Sequence, residues 1–355
     1  MEPATKLKRT RVSSQRSSSG TPARPRAPSS IHLHVENTSG LGEVFEVTTK
    51  RLRQALRRHP EIAQRLKVTV GRDGDIYDRA LRTANVLFGW HFDRNDLANR
   101  APHLRLVHVH GAGVNHLFPL DWLPQGAVLT NSRGVHGAKA GEYAIMAILA
   151  LNNRLPEIIS NQMKAKWQQL YSTSISGKTL LIVGVGSVGG SSAKLAKQFG
   201  LHVLGIRRTG EPHPSVDEMF RPKDLPRVLR KADFVLITAP HTRDTHHMIG
   251  SKELALLKPG AGLVNYSRAN LVDYEALRKK LERREINAIL DVFDPEPLPS
   301  DSLLWKTPNL IITPHSSSDD AERYTPDTLD LLFRNMARLI AGKPLLNKVR
   351  PELGY

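Results

Sequence analysis

The chain has 355 residues, 40% of them hydrophobic and 24% charged, and it contains no cysteine. At roughly 150 residues per domain this predicts about two folded domains, and the ordinary globular composition excludes wholesale disorder. The missing cysteines exclude a disulfide framework, a thiolate nucleophile and a cysteine zinc cage.

The longest apolar run, residues 144–151, falls far short of the ~18 residues of a membrane span, so no membrane partner is expected and the cytoplasm is the expected compartment. Net charge is +17, and residues 1–30 hold seven basic side chains against the single acid Glu2. That Ser-, Arg- and Pro-rich stretch shows no apolar periodicity and reads as a disordered basic tail, with an organelle transit peptide as the sharper alternative. The rest of the chain keeps a basic excess that suits anions in general, whether nucleic acid, acidic lipid or anionic small molecules.

From residue 31 short apolar strands alternate with helical stretches. Strands are expected at 31–35, 68–70, 86–88 and 106–110, with a helix-like segment at 50–56. One long helix is expected over residues 137–167. A second series of strands follows at 179–183, 202–206, 234–238, 262–266, 288–292 and 310–313, and residues 327–340 read as an amphipathic helix. This rhythm predicts an α/β protein of two doubly wound parallel-sheet lobes with a cleft between them.

Leu180-Leu-Ile-Val183 runs directly into Gly184-Val-Gly186-Ser-Val-Gly189, and a helix is expected from 191 to 199. In that strand–turn–helix context the glycines read as a dinucleotide turn. Gly184 allows the tight bend, Gly186 admits a pyrophosphate close to the backbone, and Gly189 lets helix and strand pack. Amides near Ser187 and Val188 then face the anion. The next strand ends in Arg207-Arg208-Thr209, where an NAD-binding protein carries an acid. Two guanidinium groups there suit a 2′-phosphate, so NADP(H) is the preferred cofactor, with NAD(H) the second candidate.

Three ionisable residues follow strand ends, where ligands bind in open α/β sheets: Arg268, Glu296 and His315. Here the chain resembles the D-isomer-specific 2-hydroxyacid dehydrogenases. The matching stretches are Gly111-Ala-Gly-Val-Asn-His-Leu117, Asn131-Ser-Arg-Gly-Val-His-Gly137, Asn265-Tyr-Ser-Arg-Ala-Asn-Leu-Val-Asp273, Asp291-Val-Phe-Asp-Pro-Glu-Pro-Leu-Pro299 and Thr313-Pro-His315. Similarity spans about residues 65–355 and is greatest to the glyoxylate/hydroxypyruvate reductase-like members.

The resemblance implies a Rossmann coenzyme domain over residues 132–316. It also implies a flavodoxin-like substrate domain over 31–131, completed by 317–355. It implies hydride reduction of a small 2-oxo carboxylate to the D-2-hydroxy acid. Arg268 and the Ala112 and Gly113 amides would hold the carboxylate. His315 would be the general acid, with Glu296 raising its pKa. Asp291 would face the nicotinamide, Pro240 to Thr245 would line the adenine side, and Tyr266 and Ser267 would complete the cofactor set. A homodimer through the helix after Gly137 is also implied.

Three positions depart from the family pattern: Ala269 in place of glycine, Asn115 in place of an acid, and Ser316 to Asp320 in place of small apolar residues. They bear on substrate preference, not on the acid–base residues.

Two enzyme readings share this fold, a 3-phosphoglycerate- and a phosphite-type dehydrogenase. A dinucleotide-sensing corepressor is the non-enzymatic alternative, although the tail lacks the aromatics that would favour nucleic acid. No histidine pair has ligand spacing, so no metal is expected. Trp90 and Trp305 are read as packing residues, with the substrate cleft as the alternative for Trp90.

Overall fold

The computed structural model describes residues 30–354, so the tail and its targeting alternative lie outside the described residues. The first sheet has five strands: β1 (Ile31–Asn37), β2 (Leu66–Arg72), β3 (Val86–Gly89), β4 (Leu106–Val109) and β5 (Val128–Asn131). They lie in the order β2-β1-β3-β4-β5, all pairs parallel. The second sheet has seven strands: β6 (Thr179–Val183), β7 (His202–Ile206), β8 (Glu218–Phe220), β9 (Phe234–Ile237), β10 (Gly262–Asn265), β11 (Asn287–Leu290) and β12 (Leu310–Ile312). Their order is β12-β11-β10-β9-β6-β7-β8, again parallel throughout. These are the flavodoxin-like and Rossmann orders, each with one point where strand order reverses.

Parallel sheets are covered on both faces, which explains why β3, β4, β9 and β10 are buried along their whole length. On one face of the first sheet the helices Thr49–Arg58 and Tyr324–Ile340 enclose Leu33, Val35 and Phe88 with Leu332, Phe333 and Met336. The chain therefore returns from the second sheet to finish the first lobe. In the second lobe the helix Gly137–Asn152 lies across the helix Ser187–Gln198, and a β-carbon at Gly141 would sit 2.9 Å from Leu195 Cδ1.

Burial forces polar strand residues to find partners. His34 bonds Thr69 at 2.9 Å and Glu36 at 2.9 Å, and His108 bonds Thr130 at 2.7 Å and Ser132 at 3.2 Å. Burial pushes the His108 imidazole down to about 3.

The expected helix 137–167 is instead two helices, Gly137–Asn152 and Leu155–Gln162. Arg154 turns left-handed at φ 56°, and Pro156 sits in the first turn of the second helix, having no N–H to continue the first. The dinucleotide helix begins at Ser187, four residues earlier than expected, and β5 and β8 were not anticipated. Trp305 is half exposed, with its indole N–H donating to the Pro299 carbonyl at 2.8 Å, so the packing expectation fails there. Trp90 packs against Gly111 and lies 4.3 Å, ring to ring, from His116. No helix among the described residues is long and apolar enough to cross a membrane.

Phe333 is fully buried between the terminal helix and the first sheet. Phe333→Ala is expected to lower stability by about 3–5 kcal/mol in urea denaturation; a loss below about 1 kcal/mol would contradict this packing.

Candidate active site

The expected site residues follow the carboxyl ends of strands from both sheets. Gly184 bends the chain after β6 at φ +106°, and a β-carbon there would overlap the backbone of Ala239. At Gly189 a β-carbon would lie 2.8 Å from Thr238 Oγ1, the hydroxyl that donates to the Gly184 carbonyl at 2.7 Å. Gly186 is different: nothing lies within 4 Å of its missing side chain. The turn is thus packed on two glycines and open on the third, above the amino end of the helix Ser187–Gln198. Its first N–H groups have no carbonyl in their own helix to bond, which fits a pyrophosphate.

At the end of β7, Arg208 and Thr209 are exposed, and Arg207 pairs with Glu211 at 3.2 Å. A third guanidinium, missed in the sequence reading, belongs here. Arg221, one residue past β8, lays its side chain over Gly210. The signal was weak because Arg221 becomes a neighbour only through the pairing of β7 with β8. Pro240 is exposed at the end of β9, its carbonyl accepting from Thr245 Oγ1 at 2.8 Å.

Three of the expected cofactor residues have side chains bonded within the protein. The Tyr266 ring is buried in the core, and its hydroxyl meets Ser192 Oγ at 2.8 Å, so this side chain supports the dinucleotide helix from behind. Asp291 is completely buried, and its carboxylate accepts from Thr313 Oγ1 at 2.5 Å and from the Ser316 and Ser317 amides at 3.1 Å each. Ser267 donates to the Ala239 carbonyl at 2.5 Å.

Arg268 follows β10 in a turn pinned by buried Asn265, whose amide donates to the Arg268 carbonyl at 3.0 Å. Its Nη1 donates to the Ser267 carbonyl at 2.6 Å, and a β-carbon at Gly113 would overlap Nη2. The guanidinium from the second lobe therefore reaches the glycine loop of the first. In that loop the Ala112 carbonyl accepts from Asn131 Nδ2 at 2.7 Å, which fixes the peptide that carries the Gly113 N–H. Asn115, the departure from the family's acid, donates across the cleft to the His241 carbonyl at 3.0 Å, a bond no carboxylate can make.

His315 Nδ1 lies 2.7 Å from Glu296 Oε2, and Glu296 Oε1 accepts the Phe293 N–H at 2.7 Å. With Nδ1 so occupied, the donor left to the cleft is Nε2, and the side chain keeps 45% exposure. The hydrogen bond to Glu296 raises the His315 pKa. Burial and the Arg268 charge oppose this, while the charges of Glu296 and Asp291 support it. Burial pushes Glu296 up, yet its bonds to His315 and Phe293 outweigh that and hold it below the usual carboxylate value. Arg268 is lowered by burial, with Glu296 opposing.

An open glycine turn beside an arginine and a carboxylate-backed imidazole is what a two-lobed, dinucleotide-dependent dehydrogenase requires, and comparison with known proteins narrows that class. Residues 145–317 match the model of the D-isomer specific 2-hydroxyacid dehydrogenase NAD binding domain. The chain is 31% identical to glyoxylate reductase of Thermococcus litoralis over 268 residues, 73% of this chain and 80% of that one. It is 32% identical to glyoxylate/hydroxypyruvate reductase B of Pectobacterium atrosepticum over 268 residues, 73% and 82% of the two chains. A solved D-isomer specific 2-hydroxyacid dehydrogenase from Xanthobacter autotrophicus, in complex with NADPH and MES, superposes with TM-score 0.77 at 26% identity. That match covers 91% of this chain and 99% of the other. The chain belongs to the D-isomer specific 2-hydroxyacid dehydrogenase family and is an NAD(P)-dependent oxidoreductase.

A raised imidazole pKa means that the proton is held below the shifted value and lost as pH climbs through it. Titration of His315 by NMR should therefore give a midpoint above the ordinary histidine value, and Glu296→Gln should move it to lower pH. A midpoint that Glu296→Gln leaves in place would contradict the pairing.

Proposed function

We propose that the chain uses NADPH to reduce a small 2-oxo acid, of the glyoxylate or hydroxypyruvate type, to the D-2-hydroxy acid. The observation that carries this reading is the reach of Arg268 across the cleft to Gly113, on the strand-end side where His315 pairs with Glu296. A 2-oxo acid needs a cation and backbone donors for its carboxylate and an acid for its ketone oxygen. The printed activities of the Thermococcus and Pectobacterium relatives support the same substrate class.

In this mechanism the Arg268 guanidinium takes one carboxylate oxygen and polarises the ketone, while the Ala112 and Gly113 amides bind the other. Glycine at 113 is required because any side chain would displace Arg268. His315 Nε2 gives its proton to the ketone oxygen, and Glu296 on Nδ1 raises the imidazole pKa and so favours the protonated acid. The nicotinamide, when bound, supplies the hydride. The turn Gly184, Gly186, Ser187, Val188 and Gly189 holds the pyrophosphate. Pro240 to Thr245 lines the adenine side, Ser267 lies towards the nicotinamide end, and Arg207, Arg208, Thr209 and Arg221 surround the 2′-phosphate.

On this reading residues 132–316 form the coenzyme domain, and 31–131 with 317–355 form the substrate domain. A homodimer covers the apolar surface of Met146, Leu155, Ile159, Met163, Trp167 and Tyr171, which is exposed in the single chain.

The direct test mixes protein, NADPH and glyoxylate and follows loss of reduced-nicotinamide absorbance; no turnover would reject the reading. His315→Ala is expected to lose ~10²–10⁴-fold in kcat while NADPH still binds, and unchanged kcat would remove His315 from the acid role. Replacing both Arg207 and Arg208 by Ala should lower kcat/KM with NADPH by about 10-fold or more and leave NADH nearly unchanged. An equal loss with both cofactors would contradict the 2′-phosphate assignment.

A further inference from the structure

Behind the histidine–glutamate pair runs a hydrogen-bonded chain that the mechanism above does not use. It begins at the Tyr143 phenol, on the helix Gly137–Asn152, which meets Thr313 Oγ1 at 2.7 Å. Thr313 Oγ1 lies 2.5 Å from Asp291 Oδ1, and the same carboxylate takes the Ser316 amide on Oδ1 and the Ser317 amide on Oδ2. The Asp291 carbonyl accepts the His315 N–H at 2.9 Å. Three successive amides of the turn 315–317 are thus tied to one buried residue.

The direction of this chain follows from donor chemistry. An ionised carboxylate only accepts, so the Thr313 hydroxyl must donate to Asp291. Its oxygen is then left to accept, and the Tyr143 O–H is the donor. Tyr143 is suited to that part, because burial pushes its phenol up to about 12 and keeps the proton in place. A wholly buried carboxylate is costly without such donors, so Asp291 holds the turn as firmly as the turn holds Asp291.

The turn needs holding. His315 has φ +49°, a left-handed conformation that is uncommon for a residue with a β-carbon. That conformation presents Nδ1 to Glu296 at 2.7 Å. The charged groups that face the imidazole are Glu296, Arg268 and Asp291, and all three come from the strand-end loops after β10 and β11. Tyr143 and Thr313 carry no charge to it and act on it only through geometry.

We propose that Tyr143 and Thr313 are positioning residues. Acting through the Asp291 carboxylate, they lock the 315–317 turn in the backbone conformation from which His315 reaches both Glu296 and the substrate oxygen. The inference rests on the acid role given to His315 above, and its consequence for the imidazole can be read without turnover.

The test uses the full chain with Tyr143→Phe and Thr313→Val, each of which removes a hydroxyl and little volume, and Thr313→Ser as the conservative control. Tyr143→Phe and Thr313→Val should each lower kcat for glyoxylate with NADPH by about 10-fold, the scale of a slightly misplaced acid. KM for glyoxylate and Kd for NADPH should change less than about 2-fold, and Thr313→Ser should recover most of the activity. The His315 NMR midpoint should move to lower pH in Tyr143→Phe and Thr313→Val as the Glu296 contact loosens, and stay in place in Thr313→Ser. Lower thermal stability with kcat and midpoint both unchanged would overturn the proposal and leave the network merely structural. If the unmodified protein reduces no 2-oxo acid, the acid role fails. The positioning claim is then decided by the midpoint alone, an unchanged value in both variants overturning it.

Discussion

A hydrogen bond of 2.7 Å between His315 and Glu296 is the interaction on which the rest of the cleft depends. It is half exposed and therefore contributes little to folding stability. Its effect is on protonation: it raises the imidazole pKa, which burial and the Arg268 charge lower. The pair joins two loops that follow different strands, β11 and β12. Glu296 is anchored through the Phe293 amide, and His315 through the buried Asp291. Glu296 is the main cause of the raised histidine pKa, while Asp291 holds the backbone of the turn that carries it.

The second constraint is the meeting of the lobes. Arg268 belongs to the seven-stranded sheet but stands against Gly113 of the five-stranded one, and Asn115 bonds back to His241. A site shared in this way exists only while the lobes face each other. Glycines stand where side chains or backbone approach closely, between the lobes at Gly113 and within the second lobe elsewhere. Gly113 makes room for a guanidinium, Gly141 for a helix, and Gly184 and Gly189 for the strand beside the phosphate turn.

Much of this was legible in the sequence because parallel sheets impose a strong pattern. Strands buried on both faces read as uninterrupted apolar runs, so β6 and β7 were placed residue for residue. The short strand β8 was not, since Glu218–Phe220 is an edge with little apolar signal. The break at Arg154 was missed although Pro156 marks it, because the apolar run before it overshadowed the proline. Among the site residues, motif spacing located Arg268, Glu296 and His315 at strand ends but said nothing about which side chains turn inward. Tyr266 and Asp291 looked like cofactor contacts, and burial gives their side chains partners within the protein. Tyr143 and Thr313 were invisible because their contact joins residues far apart in the chain.

Where a small 2-oxo acid binds decides the roles of Arg268 and His315. A crystal structure of the chain with NADP and oxamate, an unreactive 2-oxo acid mimic, tests this most directly. The oxamate carboxylate is expected on Arg268 and the Ala112 and Gly113 amides, with its carbonyl oxygen within hydrogen-bonding distance of His315 Nε2. Oxamate bound away from Arg268, or with His315 turned out of reach in a closed cleft, would contradict those roles.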